Sequence, residues 1–268
     1  MPLGWREAQP ADFAVIGDPV AHSRSPGMHA AAYRSLGLSL RYEAIHVPPG
    51  EVAPALDRLR DLGYRGINVT VPHKEEVLMW CRQIEPFAAR VRAANTVRLS
   101  DRACINTDAP GFLETLLELG LPHRMRVLML GAGGSARALA LALSEAGHEL
   151  RIFNRTRSRA EQMVADLAIN AEVLDAADPT AVDLILNTTS ASLQSSDLPV
   201  LWNLTKPGAV AYDLVYGHSP FLDEAMNRGL RVVDGLPLLV AQGALSFEWW
   251  LGRPAPRQAM MEALRAES

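Results

Sequence analysis

The chain has 268 residues, 49% of them hydrophobic, enough for one large or two medium domains with sizeable cores. A net charge of −4 and a pI near 6.0 exclude non-specific binding of nucleic acid or anionic membranes. No apolar run reaches the ~20 residues of a membrane span; the two cysteines, Cys81 and Cys104, lack metal or redox spacing; and the seven histidines form no ligand pair. The expectation is a protein of the reducing cytoplasm without a metal site.

Residues 1–11 read as a polar, poorly ordered lead-in. Phe13 to Ile16 predicts a short strand that stops at Gly17-Asp18-Pro19. The loop His22-Ser-Arg-Ser-Pro26 leads into a helix to about Leu36, ended by Gly37. Arg41 to Val47 alternates like a strand, Glu51 to Leu62 has helical spacing, and Gly66 to Val71 is a β-branched strand. Helical segments follow from Glu75 to about Arg82 and from Pro86 to about Ala93, and a hairpin turns at Ser100-Asp101. Alternating strands and helices imply α/β architecture.

The pattern restarts near Asp108 with a helix over 110–119. The apolar run Val127 to Leu130 reads as a buried parallel strand, and Gly131-Ala132-Gly133-Gly134-Ser135-Ala136 turns it into a helix over 135–146. Amides at such a helix start cradle a pyrophosphate. A second strand, Leu150 to Phe153, ends where an NAD enzyme usually places an acid for the ribose 2′-hydroxyl. This chain has Asn154, Arg155, Thr156, Arg157 and Arg159 instead, which favours a 2′-phosphate and therefore NADP. A capping box, Ser158 to Glu161, opens a helix over 158–167. Strands follow near 184–186, 209–214 and 230–233, then a strongly apolar helix from Leu239 to Trp250 and a last one near 257–265.

Only two lysines occur, Lys74 and Lys206. Lys74 stands at the start of an expected helix, where Glu75 and Glu76 suit the dipole and a cation does not, so a functional reason is favoured. Asp108 could cap the following helix, and Ser25 before Pro26 has the form of an N-cap. Ser23 and Ser25 at a helix start also make a good carboxylate site.

The combination Ser23-Arg-Ser25-Pro26, Asn68-Val-Thr-Val-Pro-His-Lys74-Glu75, Ala94-Asn95-Thr96, Asn106-Thr-Asp108, Gly131-Ala-Gly-Gly-Ser135, Asn154-Arg-Thr156 and Gln242 resembles the shikimate dehydrogenase family from about Phe13 to the last helix. The resemblance implies a two-domain α/β enzyme. Residues 1–106 plus 239–268 would form the substrate domain, 107–238 a Rossmann-like NADP-binding domain, with the site in the cleft between them. It implies Lys74 and Asp108 as the catalytic pair. Ser23 and Ser25 would bind the substrate carboxylate and Thr70, Asn95 and Gln242 its hydroxyls, with Tyr216 a further carboxylate contact. Gly131, Ala132, Gly133, Gly134, Ser135, Asn154, Arg155, Thr156, Arg159, Thr188, Thr189, Ser190, Leu214 and Gly235 would line the cofactor. The chain departs from the family pattern at Ala109-Pro110, at Ser192, and in a segment after Tyr216 about two residues short. The implied reaction is NADPH-dependent reduction of 3-dehydroshikimate. A relative that prefers quinate or accepts both acids, and a catalytically silent NADP-binding sensor, are the alternatives.

Overall fold

The computed structural model describes residues 3–189 and 198–266. The chain divides into two compact units, Met1–Gly111 with Leu239–Ser268, and Phe112–Leu238. The sequence pattern sets this break after Asn106; it falls after Gly111, inside a helix.

The first unit is built on β1 (Leu3–Gly4), β2 (Phe13–Gly17), β3 (Tyr42–His46), β4 (Gly66–Val69), β5 (Gln83–Ile84), β6 (Thr96–Arg98) and β7 (Ala103–Ile105). These form one sheet in the order β1-β3-β2-β4-β6-β7-β5. β1 to β4 pair in parallel, and β6 runs antiparallel to both its neighbours. Every residue of β2 and β4 is buried, as expected of central parallel strands covered on both faces. Helices α1 (Ser25–Ser35), α2 (Val52–Asp61) and α3 (Pro86–Val91) follow in this part of the chain.

Three expectations fail here. Residues 3–11 are pinned: Leu3 pairs with Ile45, Trp5 Nε1 donates to Glu51 at 2.7 Å, and the Tyr64 hydroxyl donates to the Gln9 carbonyl at 2.8 Å. A two-residue edge strand is too short to show periodicity. The strand after Gly66 ends at Val69, so Thr70 lies in the turn beyond it; its amide still bonds Ile16 at 2.9 Å, but Pro72 has no N–H to continue the ladder. The helix from Glu75 is a single 3₁₀ turn, Glu76–Met79. Buried His73 bonds the Val47 carbonyl at 2.6 Å and ties the segment to the sheet before a second turn can form.

The second unit begins in α4 (Asp108–Glu118) and contains β8 (Arg126–Leu130), α5 (Gly134–Glu145), β9 (Glu149–Phe153), α6 (Arg157–Leu167), β10 (Ala171–Val173), β11 (Leu184–Asn187), β12 (Val210–Asp213), α7 (Pro220–Asn227) and β13 (Arg231–Val233). Its sheet is wholly parallel, ordered β10-β9-β8-β11-β12-β13. This is the doubly wound 3-2-1-4-5-6 order, whose direction of winding reverses between β8 and β11, where dinucleotides bind. The capping box is not used: α6 starts at Arg157 with Thr156 as N-cap, and Glu161 accepts from Arg157 at 2.7 Å. Arg157 competes for the carboxylate that the box requires.

The chain then forms α8 (Leu236–Leu251) and α9 (Arg257–Ala266). Gln242, Ser246 and Trp250 follow one another at four-residue spacing on α8, so they share a face. Trp250 stacks on Phe13 at 4.9 Å and donates to the Val97 carbonyl at 3.0 Å, which fixes that face against the first unit's sheet.

Candidate active site

In the first unit, Lys74, Asn95, Asp108 and Gln242 converge. Lys74 Nζ donates to Asp108 Oδ2 at 2.7 Å, and Asn95 Nδ2 donates to Asp108 Oδ1 at 2.9 Å. The side chains of Lys74 and Asp108 are only 12% and 10% exposed, so the pair is shielded from the solvent that weakens surface ion pairs. Asn95 Nδ2 also reaches Gln242 Oε1 at 3.3 Å, and Gln242 Nε2 donates to the Leu239 carbonyl at 2.9 Å. Asn95 Oδ1 accepts the Thr107 amide at 2.8 Å, which fixes the orientation of the Asn95 amide group.

Two arguments from the sequence give way to this geometry. Lys74 is in a turn before a 3₁₀ segment and opposes no α-helix dipole; its carbonyl accepts the Ala94 amide at 2.9 Å, which draws it toward Asn95. Asp108 does not cap a helix with its side chain. It is the first residue of α4, and Asn106 Oδ1 takes the amides of Asp108 and Ala109 at 3.1 and 3.2 Å. With Asn106 doing the capping, both Asp108 oxygens serve Lys74 and Asn95.

Ser23 and Ser25 flank the start of α1. Ser25 is the first helical residue and not its N-cap; Arg24 takes that position without a side-chain cap bond. Ser23 Oγ accepts the Ser25 amide at 3.4 Å, so the cap-like role falls to Ser23. Arg24 donates to the Leu264 carbonyl at the end of α9 and holds this corner in place. Ser25 lies against the hydroxyl of buried Tyr42, whose acidity burial suppresses, keeping it a neutral donor.

In the second unit, the turn after β8 meets the demands of a bound dinucleotide phosphate. Gly131 has φ +114°, and a Cβ there would stand 2.5 Å from Thr188 Oγ1. Gly133 is the N-cap of α5; the helix start has no side-chain cap bond and no acid in its first turn, so its amides and dipole suit an anion. Ala132 and Ser135 are half-buried beside them. Thr188 donates to the Leu130 carbonyl at 2.7 Å, and Thr189 is held by Asn187 Oδ1 at 2.8 Å. The Leu214 amide donates to the Asn187 carbonyl at 3.0 Å, and the Gly235 amide to Val215 at 3.1 Å. Tyr216 is half-buried in the loop after β12. Ser190 and Ser192 lie outside the described residues.

After β9, Asn154 Nδ2 donates to the Thr156 carbonyl at 2.8 Å and shapes the turn. Arg155, Thr156 and Arg159 are exposed there, and among the described residues neither Arg155 nor Arg159 makes an ion pair. Arg157 is committed to Glu161 and Asp175. The residues present thus fit NADP, with the α5 amides for the pyrophosphate and two exposed guanidinium groups for the 2′-phosphate.

Residues 15–97 match the family model described as shikimate dehydrogenase substrate binding domain, and residues 235–265 match the shikimate 5′-dehydrogenase C-terminal domain. Shikimate dehydrogenase (NADP(+)) of Moorella thermoacetica is 44% identical, over 94% of this chain and 92% of that protein. The chain belongs to the shikimate dehydrogenase family. A same-named protein of Thermus thermophilus is also 44% identical, over 94% of this chain and 97% of its own. A crystal structure of shikimate 5-dehydrogenase from Thermus thermophilus, in complex with NADP(H) and shikimate, superposes with TM-score 0.89 at 40% identity, covering 96% of this chain and all of that one.

For a shikimate dehydrogenase fold, the first unit is the substrate domain and the second the Rossmann-like, NADP-binding one. The motif reading misses the polar layer behind Asn95. Asn68, Thr96, Thr107 and Ser246 are all buried there and bonded to one another. Asn68 alternates with buried apolar residues in a strand, and that polar interruption was the available signal. Among the described residues, no helix is long and apolar enough to cross a membrane.

Proposed function

We propose that this chain catalyses the reversible NADPH-dependent reduction of 3-dehydroshikimate to shikimate, a step of aromatic amino-acid biosynthesis, in the cytoplasm and as a monomer or homodimer. The observation that carries the reading is the Lys74–Asp108–Asn95–Gln242 constellation, with both carboxylate oxygens of Asp108 occupied by donors. Lys74 protonates the oxygen that develops as the substrate carbonyl is reduced, and receives that proton back in the reverse direction. Asp108 holds the ammonium in place. The Asn95 and Gln242 amides, together with Thr70, orient the ring hydroxyls. Ser23 and Ser25 take the carboxylate at the start of α1, and Tyr216 is assigned a supporting contact with it.

The cofactor, when bound, supplies the hydride. The chain contributes the amides of Gly133, Gly134 and Ser135 for its pyrophosphate, and Asn154, Arg155, Thr156 and Arg159 for the adenosine ribose and its phosphate. Thr188, Thr189, Leu214 and Gly235 form the loops beside it. The decisive experiment follows NADP reduction spectrophotometrically with shikimate and, separately, with quinate. Turnover of shikimate with the higher kcat/KM supports the reading. A preference for quinate replaces the substrate, and absence of turnover with both overturns the enzymatic assignment.

A further inference from the structure

Asn68 touches none of the proposed substrate-facing atoms, yet its amide meets four residues behind them. It lies in β4 opposite Thr96 of β6, and only 6% of its surface is exposed. Its Nδ2, with two protons to share, lies 3.0 Å from Ser246 Oγ of α8, 3.1 Å from the Asn95 carbonyl and 3.2 Å from Thr96 Oγ1. Its Oδ1 accepts the Tyr42 hydroxyl of β3 at 2.7 Å. A main-chain carbonyl can only accept, so the bond to Asn95 fixes which end of the Asn68 amide is nitrogen.

That orientation propagates. Ser246 gives its single proton to the Gln242 carbonyl, so at the 2.7 Å contact between Thr96 Oγ1 and Ser246 Oγ the threonine donates, and Ser246 Oγ accepts from both Asn68 and Thr96. The Asn95 carbonyl receives both the Val69 amide at 2.8 Å and Asn68 Nδ2, so the residue is held at its main chain as well as at its side chain. Asn95 Oδ1, already held by Thr107, is thereby kept away from Asp108, and Nδ2 is presented to Asp108 Oδ1. Ser246 donates to the Gln242 carbonyl at 2.9 Å, and so ties the Gln242 turn of α8 to the same node. A buried polar network of this kind is rigid when every member is satisfied and loose when one is removed.

We propose that Asn68 is a positioning residue for the substrate site: it acts through Asn95 and the Gln242 turn, by holding the Asn95 carbonyl and the Ser246 hydroxyl that bonds the Gln242 carbonyl. The proposal rests on the reading of Asn95 as a substrate-hydroxyl ligand.

The test is a double-mutant cycle of Asn68→Leu and Asn95→Ala, with KM for shikimate, KM for NADP and kcat measured for each protein and shikimate binding measured by calorimetry. Leucine matches the size of Asn68 without its donors. The expected result is a rise of about tenfold in KM for shikimate in Asn68→Leu with KM for NADP unchanged, and no further rise when the substitution is added to Asn95→Ala. Independent effects that multiply in the double variant overturn the positioning role and leave the reading of Asn95 intact. An Asn95→Ala protein with wild-type shikimate affinity overturns that reading and this proposal with it. Should Asn68→Leu fail to fold, Ser246→Ala tests the same contact from its other side: KM for shikimate is expected to rise with KM for NADP unchanged, and a wild-type KM for shikimate overturns the proposal.

Discussion

Lys74 Nζ and Asp108 Oδ2 are 2.7 Å apart, and the other Asp108 oxygen is held by Asn95 at 2.9 Å, so the carboxylate cannot rotate away from the ammonium without breaking a second bond. This makes Lys74 a fixed proton donor instead of a flexible surface cation. Lys74→Ala is expected to lower kcat by about 10²–10⁴-fold, the usual worth of a positioned acid or base, with KM for NADP little changed. Steady-state kinetics on the purified variant check this, and near-normal turnover would remove Lys74 from the reaction.

Ser25 stands inside α1 and does not cap it, so its loss should be felt in binding more than in folding. Ser25→Ala is expected to cost less than about 1.5 kcal/mol of stability, the scale of one hydrogen bond. KM for shikimate should rise roughly tenfold or more, since a bond to a charged group is worth about 1.5–3 kcal/mol. Thermal melts and substrate titrations separate the two effects. Loss of stability at constant KM would reduce Ser25 to a packing residue.

The glycine turn and the basic end of β9 were legible because each local residue choice agrees with the fold around it: an apolar strand, a turn that only glycine closes, a helix start without an acid. Asp108 had two readings in the sequence, a helix cap and, through the family resemblance, the partner of Lys74. The sequence could not show that Asn106 would take over capping, because that depends on where α4 begins. Lys74 was singled out by an argument about a helix that tertiary contacts of His73 prevent. The Asn68 layer was out of reach of motif spacing, since Tyr42, Asn68, Thr96 and Ser246 meet only through strand order and the docking of α8.

Gly235 is packed against the backbone beside Leu214. A Cβ at position 235 would stand 2.1 Å from the Leu214 carbonyl oxygen and 2.7 Å from its carbon, and neither can move aside as a flexible side chain could. Gly235→Ala is expected to destabilise the protein by about 1–3 kcal/mol, the usual cost of overpacking. KM for NADP should rise and KM for shikimate should not, because the strained loop is assigned to the cofactor. Urea midpoints with both KM values give the check; a variant as stable as the wild type would mean the Leu214 loop relaxes freely.

Arg155 is exposed after β9 and makes no ion pair among the described residues, whereas Arg157 is held by Glu161 and Asp175. Arg155→Ala is expected to lower kcat/KM for NADP about ten- to a hundredfold, the worth of a charge-assisted bond to phosphate, with the value for NAD nearly unchanged. Arg157→Ala should have the smaller effect. The comparison of both cofactors in wild type and both variants decides it: equal losses with NAD and NADP would show that Arg155 does not read the 2′-phosphate.

His29 is fully buried in α1, its ring stacked on Tyr42 at 4.3 Å and 5°, and neither ring nitrogen has a hydrogen-bond partner among the described residues. Burial pushes its pKa down to about 3, against about 6.5 in an unfolded chain. Between these values the unfolded chain binds a proton that the native protein refuses. The stability contributed by neutral His29 is therefore complete above about pH 6.5 and is lost as pH falls toward 3, at up to about 1.4 kcal/mol per pH unit. His29→Phe keeps an aromatic ring on Tyr42 and removes the titration. Its acid limb should be shallower than that of the wild type by as much as one proton's slope, and the two proteins should converge or cross between about pH 6 and 4 in urea-melt stability measured at half-unit steps. Parallel stability curves for wild type and variant across that range would show that His29 takes up its proton without unfolding.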